Sequence, residues 1–230
     1  MNQILKNKQY KRWIALGIVG SLLIGYGDWL LGYVDPIILD DSFYLRSGHG
    51  VTYELWKPIV SMIVATVGML FYIPLFYGLS QTIQTKRTKI VFLVTSIFGL
   101  TGWLLVHYYV SSLVYQYAWG VQHNIPEAFE YTTAVLEAFF PFLLTCFATG
   151  GIPAIVHLIA TLKGKTCLQK WTAFVNPIFG LSIIAIIIYI APQSKFIDGI
   201  RMMMIHESMF IWSVAILISR KKTHNHVFES

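Results

Sequence analysis

Charged side chains are scarce in this 230-residue chain. Asp, Glu, Lys and Arg together make up 12% of it, about half of the ~25% that a globular domain carries. With 56% of residues hydrophobic, too little polar surface is left to cover a soluble fold, so the composition implies a hydrocarbon solvent. Cysteine is nearly missing too. Cys146 falls inside an apolar run and Cys167 in a short basic connection, so no disulfide is expected. No C-x-x-C spacing marks a metal or redox pair. The sequence also lacks H-x-x-x-H and H-E-x-x-H, the nucleophile elbow G-x-S-x-G, the phosphate loop G-x-x-x-x-G-K-[ST] and a dinucleotide fingerprint. The expected metal and cofactor content is accordingly none. A basic face on an amphipathic helix is absent as well, so the formal charge of +6 does not point to nucleic acid.

Long apolar runs are what the chain does have. Six of them, near 13–34, 58–80, 90–115, 132–162, 171–192 and 200–219, approach or exceed the roughly 20 helical residues that cross a ~30 Å hydrocarbon core. No linker or shift of composition divides them, so residues 1–230 read as one all-α domain, a polytopic membrane bundle of six transmembrane helices. The first run follows basic residues as a signal peptide would. It is too long, contains Asp28 and ends at no small-residue cleavage site, so it reads as a retained span. The two halves do not superpose as inverted repeats, because Asp28 lies late in the first span and Glu137 early in the fourth.

Orientation follows from the basic residues. Lys6, Lys8, Lys11 and Arg12, then Lys86, Arg87 and Lys89, then Lys163, Lys165 and Lys170, and finally Arg220, Lys221 and Lys222 all fall on one side of the six-span frame. Arg46, Lys57, Lys195 and Arg201 fall on the other. The positive-inside rule places both termini in the cytoplasm, with the plasma membrane as the expected location. Acidic residues concentrate on the opposite side, Glu229 being the one exception. They barely influence insertion, so they are a partly separate check. Trp13 and Trp171 suit an inner aromatic belt, and Trp29, Trp56 and Trp119 an outer one. Anionic headgroups of the cytoplasmic leaflet are the partners that the basic clusters imply.

An ionisable group inside a span costs several kcal/mol, ~2.5–3.5 for Asp at a helix centre, unless it faces protein or water. Measured at ~1.5 Å per residue, Asp28, His107, Glu137, His206 and Glu207 fall in one layer toward the outer side, contributed by four spans. This layer predicts an outward-facing polar cavity. The bland alternatives are a pairing of Asp28 with Arg201 that locks two helices, tight packing at the glycines around Asp28, and shallow glutamates that reach water. His206 and Glu207 point about 100° apart on a helix, so only one of them is expected to face inward. The loop Asp35–Lys57 carries Gly-His-Gly around His49 and is a candidate lid, or else an interfacial anchor. The fourth run, with Pro141, Gly150, Gly151 and Pro153, reads as a long tilted helix with a kink, or as a broken helix lining a site. Asn176 is expected to satisfy a carbonyl freed by Pro177, and His157 to lie at headgroup level.

The element Gly25-Tyr26-Gly27-Asp28-Trp29-Leu30-Leu31-Gly32 in a six-span frame resembles an uncharacterised family of bacterial six-span membrane proteins of unknown function. The resemblance implies a six-helix fold and hands over no catalytic residues. Three functions follow from the polar layer: a transporter or binding protein for an ion or an unknown small molecule, an intramembrane enzyme acting on a lipid or amphiphile, and a structural or accessory protein. The enzyme ranks below the other two.

Overall fold

A computed structural model of the chain describes residues 2–33, 53–192 and 194–219. Six helices make it up: α1 (Asn2–Gly32), α2 (Trp56–Thr82), α3 (Lys86–Gln122), α4 (Ala128–Leu162), α5 (Pro177–Ile190) and α6 (Lys195–Ile218). Five of them, all but α5, are long and apolar enough to cross a membrane. The surface has the inverted polarity that a hydrocarbon solvent selects. Leu22, Leu70, Ile97, Phe98, Leu144 and Ile190 are exposed, whereas Ser21, Asp28, Ser61, His107, His157 and His206 are buried.

α1 packs on α2 and α6, while α3 packs on α4 and more lightly on α2. Small residues set the closest of these contacts, since apolar burial does not drive helix association in lipid. A Cβ on Gly20 would lie 2.8 Å from the Gly68 carbonyl oxygen of α2, and one on Gly27 would lie 3.0 Å from the Ser61 carbonyl oxygen. Across the α3–α4 seam, Gly150 leaves room for the Trp103 ring, which a Cβ there would strike.

One end of the bundle collects both short basic connections. Gln84 N–H donates to Lys165 O and Cys167 N–H to Thr82 O, each at 2.9 Å, around an isolated bridge between Ile83 and Thr166. At the same end Lys11 Nζ donates to Leu217 O at 2.7 Å. At the other end Gly32 lies against Asp198 and Met202, so α1 and α6 run antiparallel.

Two local expectations change. The fifth run is not one span-length helix: Lys170–Val175 form a 3-10 turn and α5 has only 14 residues. Pro177 starts α5 and so frees no carbonyl; Asn176 caps Ile178 N–H and donates from Nδ2 to Ala154 O of α4 at 3.1 Å. As the long-helix reading expects, α4 continues unbroken through Pro141 and Pro153. His157, five residues before the end of α4, is 1% exposed, with Nε2 3.0 Å from the Thr82 hydroxyl and its ring against Phe92 and Trp212. The candidate lid around His49 lies outside the described residues.

Candidate functional site

Asp28 sits in the last turns of α1, on the face that meets α6 and α3. Its two carboxylate oxygens have different partners. Oδ1 lies 3.1 Å from His107 Nδ1 of α3, and Oδ2 lies 3.3 Å from His206 Nε2 of α6. The two imidazole rings are 5.5 Å apart between centroids. All three residues are buried. The side chains of Asp28 and His107 keep about a tenth of their surface open, 11% and 10%, against 3% for His206.

A chain of hydroxyls continues from the far side of His206. Nδ1 is 2.8 Å from the Tyr72 hydroxyl of α2, and that hydroxyl is 3.2 Å from Ser21 Oγ. Ser21 in turn donates to the Gly17 carbonyl at 3.0 Å. Asp28 and Ser21 are seven residues apart, and Ser21 and Gly17 four, so all three lie along one stripe of α1. Trp103, one turn before His107, closes the aromatic wall, with its ring 6.0 Å from His206 and 6.1 Å from Tyr72.

The sixth helix begins earlier than its apolar run implies. Ser194 caps α6 by accepting from Ile197 N–H at 3.2 Å, so the helix begins five residues before the expected edge. His206 then falls at its midpoint, ~16 Å from Lys195 along the helix. The three groups converge in the bundle interior, with His206 at mid-helix and Asp28 four residues before the end of α1.

The remaining candidates go elsewhere. Arg201 pairs at 3.2 Å with Asp198, one turn away on its own helix, and not with Asp28. Glu137 is exposed on α4, which packs on α3. Glu207 is half-buried on the flank of α6 that turns away from the inward-facing His206. Tyr72 and Ser21 were missed altogether. The legible signals were a serine two turns below Asp28 on the same stripe and a tyrosine deep in an apolar run, whose hydroxyl needs a partner.

Carboxylate and imidazole oxygen and nitrogen atoms from Asp28, His107 and His206 all lie within 4.8 Å of one another. The missing local metal motif therefore did not bear on this cluster, whose donors come from three helices. Such a trio can hold a cation between them, or share protons along the hydroxyl chain.

A family model described as a family of unknown function (DUF6796) matches residues 1–223. No curated protein matches the chain, and no solved structure does.

Proposed function

The chain belongs to that family of unknown function, and from this premise we propose that it is a polytopic membrane protein that binds a cation at Asp28, His107 and His206 as part of transport across the bilayer. The observation that carries the reading is the burial of one carboxylate in the bundle interior between two imidazoles from different helices. A charged group held there costs several kcal/mol, so intramembrane clusters of this kind mark ion and substrate pathways. Three helices each supply one group, with α6 antiparallel to α1, so a small relative movement of α1, α3 or α6 opens the cluster.

The same reading carries six crossings, with both termini on the cytoplasmic side of the plasma membrane. α5 spans ~21 Å and the 3-10 turn before it adds ~12 Å, together about the hydrocarbon thickness. α4 ends beside Ile83 and α6 begins at the opposite end of the bundle, which leaves the intervening segment to traverse it. The thirteen basic residues of the tails and short connections supply the orientation.

An enzyme acting on a lipid headgroup is less well supported. A crevice of about 430 Å³ lies between the ends of α3 and α4, lined by Tyr115, Trp119 and Tyr131 among others. Trp119 is twelve residues beyond His107 on α3, ~18 Å along the helix.

Reconstituted liposomes test the transport reading, with entrapped indicators for Na⁺, protons and Zn²⁺ in separate arms. Flux of one of these cations that Asp28→Asn abolishes, while the variant still inserts and elutes as folded protein, is the expected result. Absence of flux in every arm, with Asp28→Asn only lowering thermal stability, would leave a structural role.

A further inference from the structure

We infer that the cation held by Asp28, His107 and His206 is a transition-metal ion of the Zn²⁺ or Fe²⁺ class, and that Tyr72 is the positioning residue that turns His206 toward it. The inference rests on the cation-binding reading above and narrows it to a chemical class.

The argument follows protons along the hydroxyl chain. Ser21 has one hydroxyl proton, and the Gly17 carbonyl, which can only accept, takes it at 3.0 Å. Ser21 Oγ can then only accept from Tyr72, whose own single proton is thereby used. The Tyr72 oxygen must accept from His206 Nδ1–H at 2.8 Å. In the neutral imidazole this places the lone pair on Nε2, the nitrogen that faces Asp28 Oδ2. Two acceptors then face each other in a buried site, an arrangement that calls for an electrophile between them.

Distances and donor types select a metal. Nε2 and Oδ2 are 3.3 Å apart and the His107 Nδ1 to Oδ1 distance is 3.1 Å. Neighbouring donors of a tetrahedral ion with ~2.0–2.1 Å bonds are separated by about 3.3 Å. Two imidazoles and one carboxylate are a donor set for zinc and for non-haem iron, and leave at least one coordination position open. A carboxylate that needed only neutralising would be served by one imidazole; here two helices bring one each. Ligating histidines fix their tautomer by donating the other ring N–H to an acceptor, the role that Tyr72 fills. Na⁺ and Ca²⁺ prefer oxygen donors and fit this set poorly.

The test uses full-length protein without an affinity tag, in nanodiscs, stripped with chelator and then dialysed against Zn²⁺. Metal content is compared between the wild type, Asp28→Asn, His107→Ala and Tyr72→Phe. Every sample keeps the tail histidines His224 and His226, so adventitious binding there cancels. One equivalent of Zn²⁺ that the wild type holds and that Asp28→Asn and His107→Ala lose is the expected result. Tyr72→Phe should weaken binding about 10–100-fold without emptying the site, and should alter the visible absorption of bound Co²⁺. Equal metal in the wild type and His107→Ala, or an unchanged affinity and Co²⁺ spectrum in a folded Tyr72→Phe, overturns the respective half of the inference. If the site holds no metal yet Asp28→Asn abolishes Na⁺ or proton flux, the metal assignment fails and the cation reading stands. If one equivalent of zinc binds and no cation is transported, the assignment stands and transport fails.

Discussion

His206 Nδ1 lies 2.8 Å from the Tyr72 hydroxyl, on the side of the imidazole ring opposite Asp28. The hydroxyl therefore controls which ring nitrogen is presented to the carboxylate. Two turns of α1, one tyrosine of α2 and the middle of α6 are coupled through that single contact.

Tyr72→Phe removes this contact at almost constant volume. Ser21 Oγ loses its donor and His206 Nδ1 its acceptor, and a buried polar group left unsatisfied costs ~1–3 kcal/mol. The variant should melt several degrees lower in detergent. An unchanged Tm would mean that the hydroxyl chain contributes nothing to the packed state.

Gly150 and Gly151 should part company. Alanine at Gly150 meets the Trp103 ring, and overpacking of this kind costs ~1–3 kcal/mol; nothing lies within 4 Å of the Cβ position on Gly151. Gly150→Ala should lower thermal stability and disturb the site through Trp103. Gly151→Ala should be neutral, or stabilising by up to ~1 kcal/mol from helix propensity. Parallel thermal scans of the two variants check the contrast; equal effects would contradict the α3–α4 seam described above.

At the α2 entrance, Lys57 Nζ sits 2.8 Å from Glu54 Oε2 and donates to Tyr33 O at 3.1 Å. The hydrogen bond from Lys57, and then its positive charge, hold the Glu54 carboxyl below its ordinary range. A carboxyl lowered in the folded state adds stability above its unfolded value, and that stability fades as the pH falls through the lowered one. Lys57→Met should therefore remove a small stability component present near neutral pH, and flatten its decline in acid. A wild-type stability profile that stays flat below pH 5 would contradict the pairing.

Topology is testable from outside the site. Tags placed at either terminus should be reached by protease only from the cytosolic face of spheroplasts or inverted vesicles. One terminus cleaved from the outside and the other from the cytosol would mean an odd number of crossings, and would contradict α5 as a sixth span.

Long periodic apolar runs made the bundle legible in the sequence, because twenty apolar residues in a row have few other fates. The edges were less so. α6 starts at Lys195 because Ser194 caps it, and that five-residue difference puts His206 at mid-helix. Asp28, His107 and His206 were visible singly, as ionisable residues with no business in hydrocarbon. Their convergence was not, since it depends on how α1, α3 and α6 rotate about their axes. Glu137 shows the limit: it lies in the same layer by sequence count, but it is exposed on α4, which packs mainly on α3. Depth along a helix can be counted in a sequence, and facing cannot.

X-ray absorption at the zinc edge of the stripped and reloaded protein tests the central claim most directly. The account predicts a first shell of two imidazole nitrogens and one carboxylate oxygen at ~2.0–2.1 Å, with one imidazole lost in His206→Ala. A first shell of oxygen alone, or a spectrum that His206→Ala leaves unchanged, would contradict it.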